Sequence, residues 1–76
     1  MKVSVQASTG RVVSVWRAGA LFHAALADGT GNSEVCVAVD LFEVIAELSG
    51  LDLERTDHAR EALTLSKRAQ AELLEN

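Results

Sequence analysis

Over residues 1–8 apolar and polar positions alternate strictly. Val3, Val5 and Ala7 fall on one side, and Lys2, Ser4, Gln6 and Ser8 on the other. A period of two is the mark of a half-buried β-strand, because successive side chains leave a strand on opposite faces. Thr9-Gly10 reads as a tight turn, with glycine free to adopt an unusual backbone angle. The valine-rich stretch Arg11–Arg17 holds the only tryptophan and predicts a second strand. A two-residue loop at Thr9-Gly10 sets Ser14 opposite Val5 and Trp16 opposite Val3. That register predicts a core face of Val3, Val5, Ala7, Val12 and Trp16, with Trp16 mostly buried. Lys2, Arg11 and Arg17 then share the other face, with Val13 and Val15 among them.

Turn signals recur at 9–10, 18–19 and 28–32, a spacing that suits successive hairpins. Ala20–Ala27 is therefore read as a third strand rather than a short helix. Phe22, Ala24 and Leu26 form its core face if the turn at Ala18-Gly19 shifts the register by one, whereas a plain two-residue turn points His23 inward. Ser33–Val39 predicts a fourth strand, with Val35, Val37 and Val39 on one side and Glu34, Cys36 and Ala38 on the other.

The period then changes. Asp40 followed by Glu43 forms a variant capping box ahead of Leu41, Val44, Ile45 and Leu48, which share one helical face with Phe42 beside them. Gly50 closes this helix. Leu51 and Leu53 flank Asp52 and tuck a short linker under the core. Thr56 or Asp52 caps a second helix that runs to about Leu74. Its stripe is Ala59, Ala62, Leu63, Ala69 and Leu73, with Ser66 in the middle and Leu65 and Leu74 to the sides. The expected fold is α+β: an antiparallel meander of three to four strands over 1–39, then helices over 40–50 and 54–75 packed on one face, in a single small domain.

At 76 residues, a chain buries only about 60% of its unfolded surface. Such a domain gains from a partner, and the small residues along 56–74 predict a homodimer seam, with an unpaired sheet edge as a further contact. The longest apolar runs, Ala18–Phe22 and Val35–Val39, fall far short of a membrane span. The N-terminal residues have no continuous apolar stretch of the kind a signal peptide needs. One cysteine, Cys36, allows no intrachain disulfide and suits a reducing, cytoplasmic compartment.

The formal net charge of −4 conceals a sharp asymmetry: residues 1–27 carry +3, residues 28–57 carry −7, and residues 58–76 are balanced. Chemistry-bearing patterns are weak by comparison. Asp28–Glu34 has oxygen ligands at alternate positions, as a calcium loop does, but Ser33 and Val39 stand where such a loop needs glycine and a bidentate carboxylate. His23, Cys36 and His58 lack the close-paired spacing of a zinc site. Ser14, His23 and Asp28 can be assembled on paper into a triad, yet geometry defines such a site and composition does not. No cofactor or metal is expected, and the chain is read as a non-enzyme. Nucleic-acid binding through the basic N-terminal hairpin is a minor alternative, opposed by the acidic middle and by the placement of Trp16 on the core face.

A compact acidic chain of this kind is similar in size and charge to the small inhibitor and antitoxin proteins of phages and mobile elements, anti-CRISPR proteins among them. That likeness implies a non-catalytic module that occupies a surface of a larger partner. The alternative is a subunit of a homo-oligomeric structural or regulatory assembly. Asp40, Glu43 and Glu47 recur at helical spacing and line one side of the first helix, with Asp52 and Glu54 on the linker beyond. These five carboxylates are the expected docking residues for a basic surface on the larger partner.

Overall fold

The computed structural model describes residues 1–27 and 34–75. Strands β1 (Lys2–Gln6), β2 (Val12–Ala18), β3 (Leu21–Leu26) and β4 (Cys36–Ala38) form one antiparallel sheet in the order β1-β2-β3-β4. Helices α1 (Leu41–Ser49) and α2 (Thr56–Leu74) pack on each other and on the sheet, α2 over β1 and β2 and α1 over β2, β3 and β4. This is the α+β meander that the alternation predicts. The fourth strand is shorter than the predicted Ser33–Val39, and the turn predicted at 28–32, with Ser33, lies outside the described residues.

The first hairpin corrects the register. The Ala7 N–H donates to the Arg11 carbonyl at 2.9 Å, and the Gly10 N–H donates to the Ala7 carbonyl at 2.9 Å. The loop is therefore three residues long, Ser8–Gly10, and Gly10 sits at φ 95°. This is the arrangement of a turn closed by a glycine bulge. One extra loop residue pairs Val5 with Val13, Val3 with Val15 and Lys2 with Trp16. Because the period is two, the slip carries all of β2 to the opposite face. Val13 and Val15 are fully buried, while Val12 and Trp16 are half-buried on the outer face. The expectation of Trp16 in the core is overturned. So is the shared basic face: Lys2 stays outside, whereas Arg11 and Arg17 lie on the helix-covered side.

The same loop ties down both helices. The Ser8 N–H and hydroxyl donate to the two carboxylate oxygens of Glu61 on α2, at 2.7 and 2.6 Å. The Thr9 hydroxyl donates to the Ser49 carbonyl, and the Arg11 guanidinium donates to the Leu48 carbonyl at 3.3 Å. A cation there also meets the negative end of the α1 dipole.

The second hairpin turns at Gly19-Ala20, one residue later than expected. Gly19 sits at φ 65° and Ala18 pairs with Leu21. Glycine in the first central position is the type II′ requirement. The turn sends Phe22 and Ala24 into the core and His23 outward. On β4, Cys36 and Ala38 are half-buried against the helical layer, while Val37 faces out.

Asp40 caps α1, its carboxylate accepting the Phe42 N–H at 2.7 Å. Glu43 remains exposed and returns no bond, so only half of the predicted box forms. Gly50 closes α1 at φ 74°, with its N–H on the Glu47 carbonyl and the Leu51 N–H on the Ala46 carbonyl. That pair of bonds is a Schellman motif, completed by burial of both Ala46 and Leu51 in the core. Leu53, the other linker leucine, is exposed.

At α2 neither Thr56 nor Asp52 is the cap. Arg55 holds that position without a side-chain capping bond, so the helix begins at Thr56 and ends at Leu74, inside the predicted 54–75. The Asp52 carboxylate instead accepts the Glu54 N–H, and the Asp52 N–H donates to His58 Nδ1 at 3.0 Å. The buried stripe of α2 is Ala62, Leu65, Ser66, Ala69 and Leu73; Leu65 takes the place predicted for Leu63, which is exposed. Ala62 and Ala69 are fully buried in the chain's own core and so are not available to a second copy, whereas Ala59 and Leu63 of the same predicted seam are half-buried and exposed, respectively.

Two outcomes check this account. Nothing lies within 4 Å of a Cβ added at Gly10, so Gly10→Ala changes backbone strain alone. Its expected cost is about 1–2 kcal/mol, read as a lower denaturant midpoint at constant slope. An unchanged midpoint contradicts the bulge. Glu61 supplies the pH dependence. The Ser8 hydroxyl and N–H hold its carboxyl below the ordinary value of 4.5. A depressed carboxyl contributes stability that is complete above its unfolded pKa and is lost as pH falls through the folded one. Glu61→Gln should therefore lower the thermal midpoint near neutrality, and the gap from the parent should close under acid conditions below that range. A gap that persists unchanged at low pH contradicts the clamp.

Candidate interaction surface

Among the described residues, the corrected register leaves one face of the sheet without a covering layer. Its central row crosses all four strands: Lys2 pairs with Trp16, Trp16 with His23, and His23 with Val37. The Trp16 and His23 rings stack with centroids 5.7 Å apart and planes 18° from parallel. Lys2 Nζ lies 4.7 Å from the Trp16 centroid. Lys2 and His23 approach from the strands on either side of β2, so both faces of the indole are occupied. Cross-strand aromatic and cation–π contacts of this kind stabilise a sheet by about 0.5–1 kcal/mol each.

Around that row the face is apolar on the side of β3 and β4. Leu21 is 41% exposed, Val37 51%, and Val35 and Val39, at two residues either side of Val37, 51% and 77%. Val12, Ala18 and Ala25 share the same parity, and the polar positions Ser4, Gln6 and Ser14 lie toward β1. Lys2 is the one charged residue among the outward strand positions. A solvated antiparallel face ordinarily alternates to polar side chains. Here β2 and β4 carry apolar residues on both faces, as a sheet covered on both sides does.

The five predicted docking carboxylates lie elsewhere. Asp40, Glu43, Glu47, Asp52 and Glu54 are all solvent-exposed, on α1 and on the linker to α2. Asp40 is engaged as the α1 cap and Asp52 in its turn with Glu54. Glu43, Glu47 and the Glu54 carboxylate have no side-chain partner among the described residues. Farther along, Arg55 and Asp57 form a 2.8 Å ion pair, both exposed. The bidentate hydrogen bond from Arg55 is the main cause that lowers the Asp57 carboxyl below its usual range. Exposed pairs of this kind contribute little to stability.

A groove of about 510 Å³ between the start of α1 and α2 is lined by Phe42, Ala59 and Leu63, with Asp40 and Arg60 at its rim. The soft ligands do not converge: His23 is in the outer row, Cys36 faces the helical layer, and His58 accepts the Asp52 N–H. Among the described residues no group of three or more His, Cys, Asp or Glu side chains gathers to hold a metal. No described helix is long and apolar enough to cross a membrane. Comparison with protein-family models, curated proteins and solved structures finds no match.

The open face escapes a sequence reading because its composition depends on the loop length at 8–10. One signal for it is present: β2 reads Val-Val-Ser-Val-Trp-Arg-Ala, with large apolar residues at both parities.

Proposed function

We propose that this protein is a non-catalytic protein-interaction module whose recognition surface is the open face of its sheet. The observation that carries the reading is the near absence of charge from that face, where Leu21 is 41% and Val37 51% exposed beside a half-buried Trp16, in a chain that is 24% charged. Exposed apolar patches of this kind mark association sites. The single cysteine suits a cytoplasmic setting for such a module. Lys2 and His23 already lie against the indole, and Lys2 is the one cation of the face among the described residues, so it lacks both the free ring and the positive field that a single-stranded nucleic acid requires.

The acidic helical side supports a second role, docking on a basic surface of a larger partner, as an inhibitor or antitoxin does. Unpaired Glu43 and Glu47 favour it. Glu47 lies in the C-terminal half of α1, where a negative charge opposes the helix dipole and has no local structural use.

A hydrophobic dye tests the first role. Anilinonaphthalene sulfonate should bind the native protein at low micromolar concentration, and Val37→Glu and Leu21→Glu should each reduce that binding with far-UV circular dichroism unchanged. Absence of dye binding to the parent contradicts the reading. The second role is tested with polylysine as a basic probe. Glu47→Lys should weaken its binding and flatten the salt dependence while leaving the thermal midpoint unchanged or slightly raised. Identical binding and salt slope make the acidic side a solvated surface only.

A further inference from the structure

We infer that the open face is covered by a second copy of this chain, the two sheets packing face to face with the helices outermost. This inference rests on reading that face as an interaction surface and adds the identity of its occupant.

Electrostatics selects the occupant. Among the described residues the one charge on this face is Lys2, so a basic partner gains nothing there, and a single lysine gives an acidic partner or an anionic surface little to hold. A neutral apolar sheet is matched by another neutral apolar sheet. The second copy carries one by construction, and a two-fold pairing requires a self-complementary patch.

The distribution of acids removes the usual objection to self-association at a net charge of −4. Nine of the eleven acidic residues belong to α1, its cap Asp40, α2, the linker between the helices or the residues after α2. The chain is a slab with principal extents of 32 × 28 × 16 Å, sheet on one broad side and helices on the other. Packed layers lie about 10 Å apart, so the acids of two copies paired through their sheets are separated by about 30 Å. That is several times the Debye length of about 8 Å at physiological salt. Pairing through the helical sides would instead bring the carboxylates together.

Area sets the strength. Four strands about 4.8 Å apart and about 20 Å long give a face on the order of 400 Å² in outline. A standard interface takes about 800 Å² from each partner. A face of about half the standard size supports a weak dimer rather than an obligate one.

Sedimentation equilibrium of the full chain from about 10 to about 500 μM tests this. The mass should rise from 8.1 kDa toward twice that value. The emission of the sole tryptophan, Trp16, should move to the blue over the same range as its exposed edge leaves water. Val37→Glu and Leu21→Glu, at exposed positions that tolerate a carboxylate in the monomer, should each stay at the monomer mass with unchanged far-UV circular dichroism, and Lys67→Glu on α2 should dimerise like the parent. A monomer throughout, or a dimer that survives both face variants, overturns the inference. A monomer that still binds the dye leaves the interaction surface standing with a different protein as its occupant. A monomer that does not bind it removes both readings.

Discussion

The three-residue loop Ser8–Gly10 is the constraint on which the two-layer arrangement depends. Its glycine bulge fixes the pairing of Val5 with Val13, and through it the face on which every β2 side chain lies. A loop one residue shorter would put Trp16 beneath the helices and turn Val13 and Val15 to water. The loop also reaches the layer that covers the chosen face, through Ser8 to Glu61, Thr9 to Ser49 and Arg11 to Leu48. Each bond is part-buried or exposed and contributes on the order of 1 kcal/mol. The register is worth far more, because a slip changes all seven positions of β2 together.

Much of the fold was legible because local rules and tertiary structure agree. Alternation marks β1, the Asp40 cap and the Gly50 closure bound α1, and the period of the alanines and leucines marks α2. The register was not legible, for a physical reason. Ala-Ser-Thr-Gly-Arg accommodates a two-residue or a three-residue loop, and the hydrophobic pattern that normally decides between them is silent in β2, where valines occupy both parities. Leu63 and Leu65 present the same problem on α2. They flank the Ala62–Ala69 stripe on opposite sides, and only the position of α2 over β1 and β2 decides which is buried. Of the candidate sites, the carboxylates of α1 could be placed in solvent from helical spacing alone. The sheet face could not be, because it comes into being only once the register is set.

One hydroxyl departs from this economy. Ser49 is fully buried at the end of α1, and its Oγ has no hydrogen-bond partner among the described residues. Its backbone carbonyl, by contrast, receives the Thr9 hydroxyl. A buried unpaired hydroxyl costs about 1–3 kcal/mol. The position needs a small side chain where α1 ends under the hairpin loop, and alanine would meet that need without the polar atom.

The two broad sides of the slab are suited to opposite kinds of recognition. Burial of a flat sheet gains from removing apolar area from water and is penalised by any charge it traps, since an ionised group desolvated without a partner is costly. Attraction of a basic surface over a distance needs charges that remain solvated. One patch cannot meet both requirements. In this chain they are divided between the layers: the sheet face holds the apolar residues and a single lysine, and the helical layer holds the unpaired glutamates. Association through the sheet would leave both acidic sides free, directed away from each other, so that a pair of chains presents two of them at a fixed separation. A partner with two basic sites at that spacing gains affinity from the second contact through effective concentration alone, with no new chemistry in either chain. The geometry that keeps the acids apart in a sheet-to-sheet dimer is thus the geometry that would make such a dimer bivalent.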